Sequence, residues 1–215
     1  MTRIPGWLVK CFWLIVLILL ALAYLPLNTS REPIHSLATT IDNRIPLLPV
    51  FVFPYLSIFA LLAISLWRFL KSETRIFGIA VLAVSIDLVL SYLVFFFYQT
   101  HVERPVIVGS DVSSSILRGV YSFDKPFNAF PSLHTSISTL LVLLWGKAGS
   151  RIQPVIAVWA ALIIASTLLT KQHYIADVGG GIGAALVSYY GAVQFDSLVA
   201  GKAKKRFLCW RRRSR

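Results

Sequence analysis

Two ionisable residues, His173 and Asp177, stand four positions apart at the start of an otherwise apolar, glycine-rich segment. An ionisable side chain in lipid costs roughly 3 kcal/mol or more unless it is paired or faces water, so it usually serves a function there. On a helix, a separation of four residues places two side chains on one face. The sequence therefore predicts a His–Asp pair in which the carboxylate orients the imidazole and stabilises its charged form.

A second histidine, His134, directly precedes another apolar segment. Pro131 suits the first turn of a helix, so we expect the backbone N–H groups of Ser132 and Leu133 to be free at a positive helix end. Such an end binds anions, including phosphate. Phosphoryl transfer needs a nucleophile, an acid for the leaving oxygen and fixed positive charge. His173 fits the first of these roles and His134 the second.

A metal site is the alternative for these residues, because two histidines and a carboxylate are common metal ligands. The connection before His134 carries several cations, which would repel a divalent ion. The two histidine segments also lack the H-E-x-x-H spacing. We therefore expect no metal and no other cofactor.

The composition indicates one integral membrane domain, because 57% of the 215 residues are hydrophobic and only 14% are charged. The net charge is +12, but eight of the 21 Lys and Arg residues lie within 202–215. A short basic tail after an apolar segment is typical of a cytoplasmic end that contacts anionic lipids, so we expect no nucleic-acid partner. Cys11 and Cys209 have neither metal-site nor disulfide spacing.

Apolar segments predict an all-α integral membrane bundle of six transmembrane helices within residues 1–200, followed by a basic cytoplasmic tail at 201–215. The predicted helices lie near residues 7–27, 50–67, 76–98, 131–146, 152–170 and 173–195. The first segment also resembles a signal peptide, since Ala21-Leu-Ala23 has the character of a cleavage site. An even number of spans favours a retained helix.

Two polar connections separate the predicted helices. Residues 28–49 carry apolar residues at helical spacing, which predicts a helix lying along the membrane surface. Residues 99–130 form the longest connection, and long loops without evident structure are often functional.

Two features inside the predicted helices indicate contacts between helices. Asp87, near the middle of the third helix, is expected to hydrogen-bond between helices, or to act in the site if it reaches it. Gly179 with Gly183, and Gly180 with Ala184, have the G-x-x-x-G spacing that lets helix backbones approach closely.

The distribution of basic residues predicts the orientation in the membrane. In a six-span model the short connections and the tail on one face carry most of the bases, which places both termini in the cytoplasm. The 99–130 connection, His134 and the His173–Asp177 pair then share the outer face.

Three segments resemble the signature motifs of the type 2 phosphatidic acid phosphatase superfamily: Arg104-Pro105, Phe130-Pro-Ser-Leu-His-Thr-Ser136 and His173-Tyr-Ile-Ala-Asp177. The resemblance implies a lipid phosphatase or phosphotransferase with a phosphohistidine intermediate. It makes His173 the nucleophile oriented by Asp177, His134 the general acid and Arg104 a phosphate ligand.

The motifs depart from the family pattern at three positions. Phe97 stands where the first motif usually has Lys, Leu133 replaces a Gly in the second, and Thr167 replaces an Arg in the third. Lys171, two residues before His173, is expected to supply the lost charge and bind substrate. This pattern is similar to the branch that contains the inositol phosphorylceramide synthases.

The sequence thus predicts hydrolysis of a lipid phosphate or diphosphate, such as a polyprenyl diphosphate, phosphatidate or phosphatidylglycerophosphate. A phosphotransferase with a lipid or alcohol acceptor and an inactive lipid-phosphate binding protein are the alternatives. The expected location is a bacterial inner membrane with the site facing outward. The sequence does not define the oligomeric state.

Overall fold

The computed structural model describes residues 5–213, and the side chains of residues 5–200. The regular secondary structure of this part of the chain is helical apart from two strands of two residues, β1 (His35–Ser36) and β2 (Thr100–His101). Short 3-10 turns lie at Asp42–Arg44 and Pro49–Phe51. The helices, in chain order, are α1 (Gly6–Leu22), α2 (Tyr24–Leu27), α3 (Val52–Leu56), α4 (Ile58–Leu70), α5 (Thr74–Phe97), α6 (Val112–Phe123), α7 (Leu133–Lys147), α8 (Gln153–Leu169) and α9 (Ile175–Arg213).

Each of the six predicted apolar segments coincides with a helix or a run of helices. Among the described residues, three runs are long and apolar enough to cross a membrane: Gly6–Leu27, Pro49–Leu70 and Thr74–Phe97. The apolar helix α8 has 17 residues and α7 has 15. The backbone of α9 continues to Arg213, past the predicted end near residue 195. That the chain crosses the membrane six times therefore stays a prediction.

The core lies where α5, α7 and α9 pack together, with α8 against α7. Its largest cluster joins apolar side chains from all four helices, including Phe77, Leu140, Leu144, Ile163 and Ala185. Burying side chains of this size is worth about 1.5–3 kcal/mol each in water. In a bilayer, close packing between helices holds them together instead.

Asp87 ties the three core helices together. It is fully buried in α5, and its Oδ2 accepts a hydrogen bond from Ser136 Oγ of α7 at 2.7 Å. Its Oδ1 lies 3.5 Å from the hydroxyl of Ser188 in α9. Asp87 thus joins the helix that carries His134 to the helix that carries Asp177, although Asp87 is not among the residues that line the cavity described below.

The first helix packs on the outside of this core. None of the residues of α1 is buried, and its packing is against α5. Lys10 donates hydrogen bonds from Nζ to the carbonyl of Leu70 at 2.7 Å and that of Ser72 at 3.2 Å. Lys10 therefore satisfies carbonyl groups at the end of α4, which an isolated helix leaves without partners.

The predicted surface helix within residues 28–49 is wrong. This segment instead contains β1 and the 3-10 turn that begins at Asp42. His35 N–H donates to the carbonyl of Gln99, and the Asp42 carboxylate accepts from Thr39, so polar contacts determine the backbone here. Ile41, which the helical pattern placed on the apolar face, is exposed.

The 99–130 connection contains a helix that the sequence analysis did not predict. The N-cap of α6 is Asp111, whose carboxylate accepts from Ser114 N–H at 3.0 Å. Val112, Ile116 and Val120 recur every four residues after that cap. The signals for a short amphipathic helix were therefore present, but this helix is too short to stand out in a long polar stretch.

Two long connections and the short loop between α8 and α9 meet at one end of the bundle. β1 pairs in parallel with β2, which joins the segment after α2 to the segment after α5. Leu48 N–H donates to the carbonyl of Leu169 at the end of α8. The connections before Pro49, between α5 and α7, and between α8 and α9 consequently form one layer, and this layer surrounds both histidine motifs.

The glycines of α9 pack differently from the predicted pattern. A Cβ added at Gly179 or Gly183 would meet nothing within 4 Å, so this pair does not support close packing. A Cβ at Gly181 would lie 2.7 Å from the carbonyl oxygen of Ser132, and one at Gly180 would collide with the ring of Phe130. The close approach between α7 and α9 is therefore at Gly181, while Gly180 packs against Phe130 in the segment before α7.

Candidate active site

His173 and Asp177 form the predicted pair, although His173 precedes the helix. α9 begins at Ile175, and Asp177 lies in its first turn. The distance from His173 Nδ1 to Asp177 Oδ2 is 3.4 Å, and the Asp177 side chain is fully buried. The same Oδ2 accepts the N–H of Tyr174 at 2.8 Å, as in a capping box. Asp177 therefore fixes both the start of α9 and the imidazole in front of it.

His134 lies beside His173, with 6.4 Å between the ring centroids. The ring of Tyr55 in α3 stacks on His134 at a centroid distance of 4.1 Å and an interplanar angle of 18°. Neither His134 Nε2 nor His173 Nδ1 has a hydrogen-bond partner within the described part of the chain. His134 in α7 and His173 in the loop before α9 thus lie close together; Nδ1 of His173 faces Asp177, and Nε2 of His134 is not engaged by any described residue.

Arg104 joins this pair from the long connection. Its Nη1 donates to the carbonyls of Asp124 at 2.5 Å and Tyr121 at 3.3 Å, and its Nη2 donates to the side chain of Gln172. The guanidinium lies over the Tyr121 ring, 4.8 Å from its centroid. Burial lowers the pKa of Arg104, and the charge of Asp124 opposes this shift. The buried Nε has no partner among the described residues and could serve an anion.

The start of α7 differs from the sequence prediction. α7 begins at Leu133, and Ser132 rather than Pro131 is adjacent to it as the N-cap. Ser132 Oγ accepts from Thr135 N–H, and Ser132 N–H donates to the carbonyl of Asp177 at 3.1 Å. The Ser132 N–H is therefore engaged in joining α7 to α9. Leu133, as the first helical residue, keeps an N–H that no carbonyl of its own helix can accept.

A cavity of about 650 Å³ opens in front of these residues. This volume is within the usual range for a small-molecule site. Its polar end contains Arg104, Asp124, Lys125, His134, Gln172 and His173. Apolar side chains of several helices line the remainder, among them Leu25, Leu56, Phe59, Leu62, Leu88 and Ile137. The cavity can hold a molecule with a charged head and an apolar tail.

Lys171 lies apart from the cavity lining. Its Nζ donates to the backbone carbonyl of Asp42 at 2.8 Å. Thr167, at the position of the family's usual Arg, is fully buried, and its carbonyl accepts from the N–H groups of Gln172 and His173. Phe97, at the position of the usual Lys, is exposed at the end of α5. Substrate binding by Lys171 stays a prediction.

Several cavity residues do not belong to the predicted site, and for one of them, Lys125, the sequence leaves contact with the phosphate open. Gln172 and Lys125 bring polar groups to the site, and Asp124 Oδ1 accepts from Tyr24 and Asn28 at 2.9 and 2.8 Å. Gln172 directly precedes His173 in the sequence, and this neighbouring position is a signal that could have placed Gln172 in the site. The contacts of Asp124 depend on residues about 100 positions away, which no local pattern indicates. No group of three or more His, Cys, Asp or Glu side chains is placed to hold a metal within the described residues.

Comparison with known proteins identifies the family of this chain. The model of the PAP2 superfamily matches residues 32–191, which is well over half of the chain and includes all three motifs. No curated protein and no solved structure shows a significant match. Members of this family are generally phosphatases or phosphotransferases, and membership points to a lipid-type substrate. With its apolar helices and this match, the chain is a membrane protein that belongs to the PAP2 superfamily.

Proposed function

We propose that this protein is a metal-independent membrane lipid phosphatase that forms a phosphohistidine at His173. One observation carries this proposal: His173, backed by Asp177 and facing His134, lies at the polar end of an otherwise apolar cavity. A nucleophile with an orienting carboxylate and a nearby acid is the minimum that covalent phosphoryl transfer requires.

In the first step, Asp177 keeps the proton of His173 on Nδ1, which leaves the lone pair of Nε2 for attack. Nε2 forms a bond to phosphorus as the bond between phosphorus and the lipid oxygen breaks. His134, protonated beside the negative charge of the bound phosphate, donates its proton to that leaving oxygen. Arg104 and the N–H of Leu133 stabilise the charge on the phosphoryl oxygens, with Ser132 fixing the helix end that presents this N–H.

In the second step, a water molecule attacks the phosphohistidine. His134, now neutral, accepts a proton from the water as the P–N bond breaks, and the bonding electron pair returns to Nε2 of His173. Inorganic phosphate leaves, and both histidines regain their starting protonation states. The step consumes one water and needs no other reactant.

The apolar part of the cavity fits the tail of the lipid. Leu56, Phe59 and Leu62 line one wall, while Leu88 and Ile137 come from the core helices. A phosphate at the polar end would place its attached chain against these side chains. Phosphatidate, phosphatidylglycerophosphate and polyprenyl diphosphates all have this form, and we propose a substrate of this class.

A lipid phosphotransferase is the second candidate. Leu133 in the second motif, and a lysine close before His173, resemble the inositol phosphorylceramide synthase branch. In that case an alcohol, rather than water, attacks the phosphohistidine. An inactive protein that binds lipid phosphates is the third candidate, since Phe97 and Thr167 replace cations of the usual motifs.

The proposed arrangement in the membrane has six spans, both termini in the cytoplasm and the site on the outer face of a bacterial inner membrane. The positive-inside rule supports this orientation. The basic tail would contact anionic lipids, but the side chains of 201–215 lie outside the described residues.

Purified protein incubated with ³²P-labelled lipid phosphates tests the three candidates. We expect free labelled phosphate, an acid-labile phosphoenzyme intermediate and no effect of a metal chelator. His173→Ala and Asp177→Asn should lose at least about 10²-fold in turnover, whereas His35→Ala, which lies outside the cavity lining, should not. Label on a new lipid would indicate the phosphotransferase, and binding without turnover would indicate the inactive protein. Full turnover by His173→Ala would contradict the mechanism.

A further inference from the structure

The loop between α8 and α9, which carries His173, is covered by the segment around Asp42. Asp42 is 3% exposed, although it belongs to a connection more than 120 residues away in sequence. Both backbone and side chain of Asp42 contact the loop. Burying a carboxylate is costly unless hydrogen-bond donors surround it, so the donors around Asp42 show what this residue holds in place.

The Asp42 carboxylate acts as a cap for α9. Its Oδ1 accepts the N–H of Ile175, the first residue of that helix, at 2.8 Å. Its Oδ2 accepts from Thr39 N–H at 2.8 Å and Thr39 Oγ1 at 2.6 Å. The first N–H groups of a helix have no partner in their own helix, and negative charge is favourable there. Asp42 therefore fixes the chain two residues after His173.

The backbone carbonyl of Asp42 fixes the chain on the other side of His173. It accepts the hydrogen bond from Lys171 Nζ at 2.8 Å. Lys171 has a φ of 51°, in the left-handed region that residues other than glycine rarely adopt. Such a conformation persists when surrounding contacts hold it, and the Asp42 contact is one of them. The loop is thus held two residues before and two residues after the histidine.

We propose that Asp42 and Lys171 form a latch that holds the His173 loop in its reacting position. Both are positioning residues, and the inference rests on the proposed phosphatase function. A displacement of the nucleophile by about 1 Å can cost roughly 10²-fold in rate. The latch assigns Lys171 a role without direct contact to phosphate, and kinetics can separate the two roles.

The first test compares kcat and KM for Asp42→Ala, Asp42→Asn and Lys171→Met in the full-length protein. Asp42→Ala should lower kcat by about 10²-fold with little change in KM. Asp42→Asn keeps an oxygen for Ile175 N–H and should restore part of the rate. Lys171→Met should lower kcat alone, whereas loss of a phosphate ligand would raise KM. Asp196→Ala is the control, because Asp196 lies far along α9 in an exposed pair with Arg75.

The second test is amide hydrogen exchange, which does not depend on activity. Asp42→Ala should speed exchange at Ile175 and at neighbouring residues of the loop, with the distant end of α9 unchanged. If the wild type releases no phosphate, the proposed function fails, while faster exchange would still support the latch. If Asp42→Ala does not fold, Asp42→Asn and Lys171→Met provide both measurements. Unchanged exchange, or a raised KM for Lys171→Met at constant kcat, would overturn the latch.

Discussion

Tyr55 supports His134 by stacking, and this contact shapes the acid of the proposed reaction. The ring centroids lie 4.1 Å apart, so Tyr55 covers one face of the imidazole, and His134 also lines the cavity. Its buried Nε2 has no partner within the described part of the chain. His134 is thus oriented by packing, in contrast to His173, which is oriented by a carboxylate.

Replacement of His134 should depend on the leaving group. His134→Ala should slow hydrolysis of a lipid phosphate, whose alkoxide leaves poorly, by roughly 10²–10⁴-fold, because general acid catalysis is lost. An aryl phosphate with an acidic phenol needs no proton and should lose much less. Parallel kinetics on the two substrates measure this difference. Equal losses on both would show that His134 serves another role.

At the residue scale, the motifs indicated the groups proposed to react but not the groups that contact them. His173, Asp177 and His134 were predicted from type and spacing, and they do come together. Tyr55 was not predicted, because an aromatic residue in an apolar helix gives the same pattern whether it faces lipid or a histidine. The sequence predicts Lys171 near the phosphate, but it does not predict the contact of its Nζ with the carbonyl of Asp42, because a position close to His173 in the chain does not determine the direction of the side chain.

Among the helices, the contact between α7 and α9 assembles the site. The N–H of Ser132 donates to the carbonyl of Asp177, and Gly181 lies directly against the same turn. This contact sets the distance between the two histidines. It needs a residue without a side chain, because a Cβ at Gly181 would also lie 2.9 Å from Thr135 Cβ.

Gly181→Ala should therefore damage the site more than it damages the helix. We expect a large loss of kcat, because the added methyl group pushes α7 and α9 apart and separates His134 from His173. Gly183→Ala is the matched control, since its Cβ would meet nothing within 4 Å. In a helix, Ala is favoured over Gly by roughly 0.5–1 kcal/mol, so this variant should keep its activity and unfold no more easily. Equal activity of the two variants would contradict this account.

The helices themselves were largely predictable, since long apolar runs determine their position. The ends of the helices were less predictable. α9 begins at Ile175 because Asp42 and Asp177 cap it, and Asp42 is distant from α9 in the sequence. α6 was missed because its 12 residues lie in a polar stretch. The G-x-x-x-G pattern indicated the right helix and included Gly180, but it missed Gly181, since the pattern does not reveal which face of the helix packs.

At the scale of the whole molecule, the proposed topology places the layer of connections around the site outside the cell and the short turn between α7 and α8 in the cytoplasm. In a protein with Cys11 and Cys209 replaced by serine, Ser110→Cys should react with an impermeant maleimide in intact cells. Arg151→Cys, in the short turn between α7 and α8, should react only after permeabilisation. Both positions are exposed. The reverse pattern would place the site on the cytoplasmic face, and labelling of both in intact cells would contradict the six-span arrangement.

The unequal lengths of the core helices bear on the membrane itself. α5 has 24 residues and α8 has 17, which correspond to about 36 and 26 Å. A hydrocarbon core is about 30 Å thick, and α8 exposes Val155, Val158 and Leu162, so in the proposed arrangement the bilayer must thin beside α8, the helix that leads into the His173 loop. Thinning costs less in a membrane of shorter acyl chains. The host lipid would then set the strain at the catalytic end, and turnover should rise as the surrounding bilayer becomes thinner.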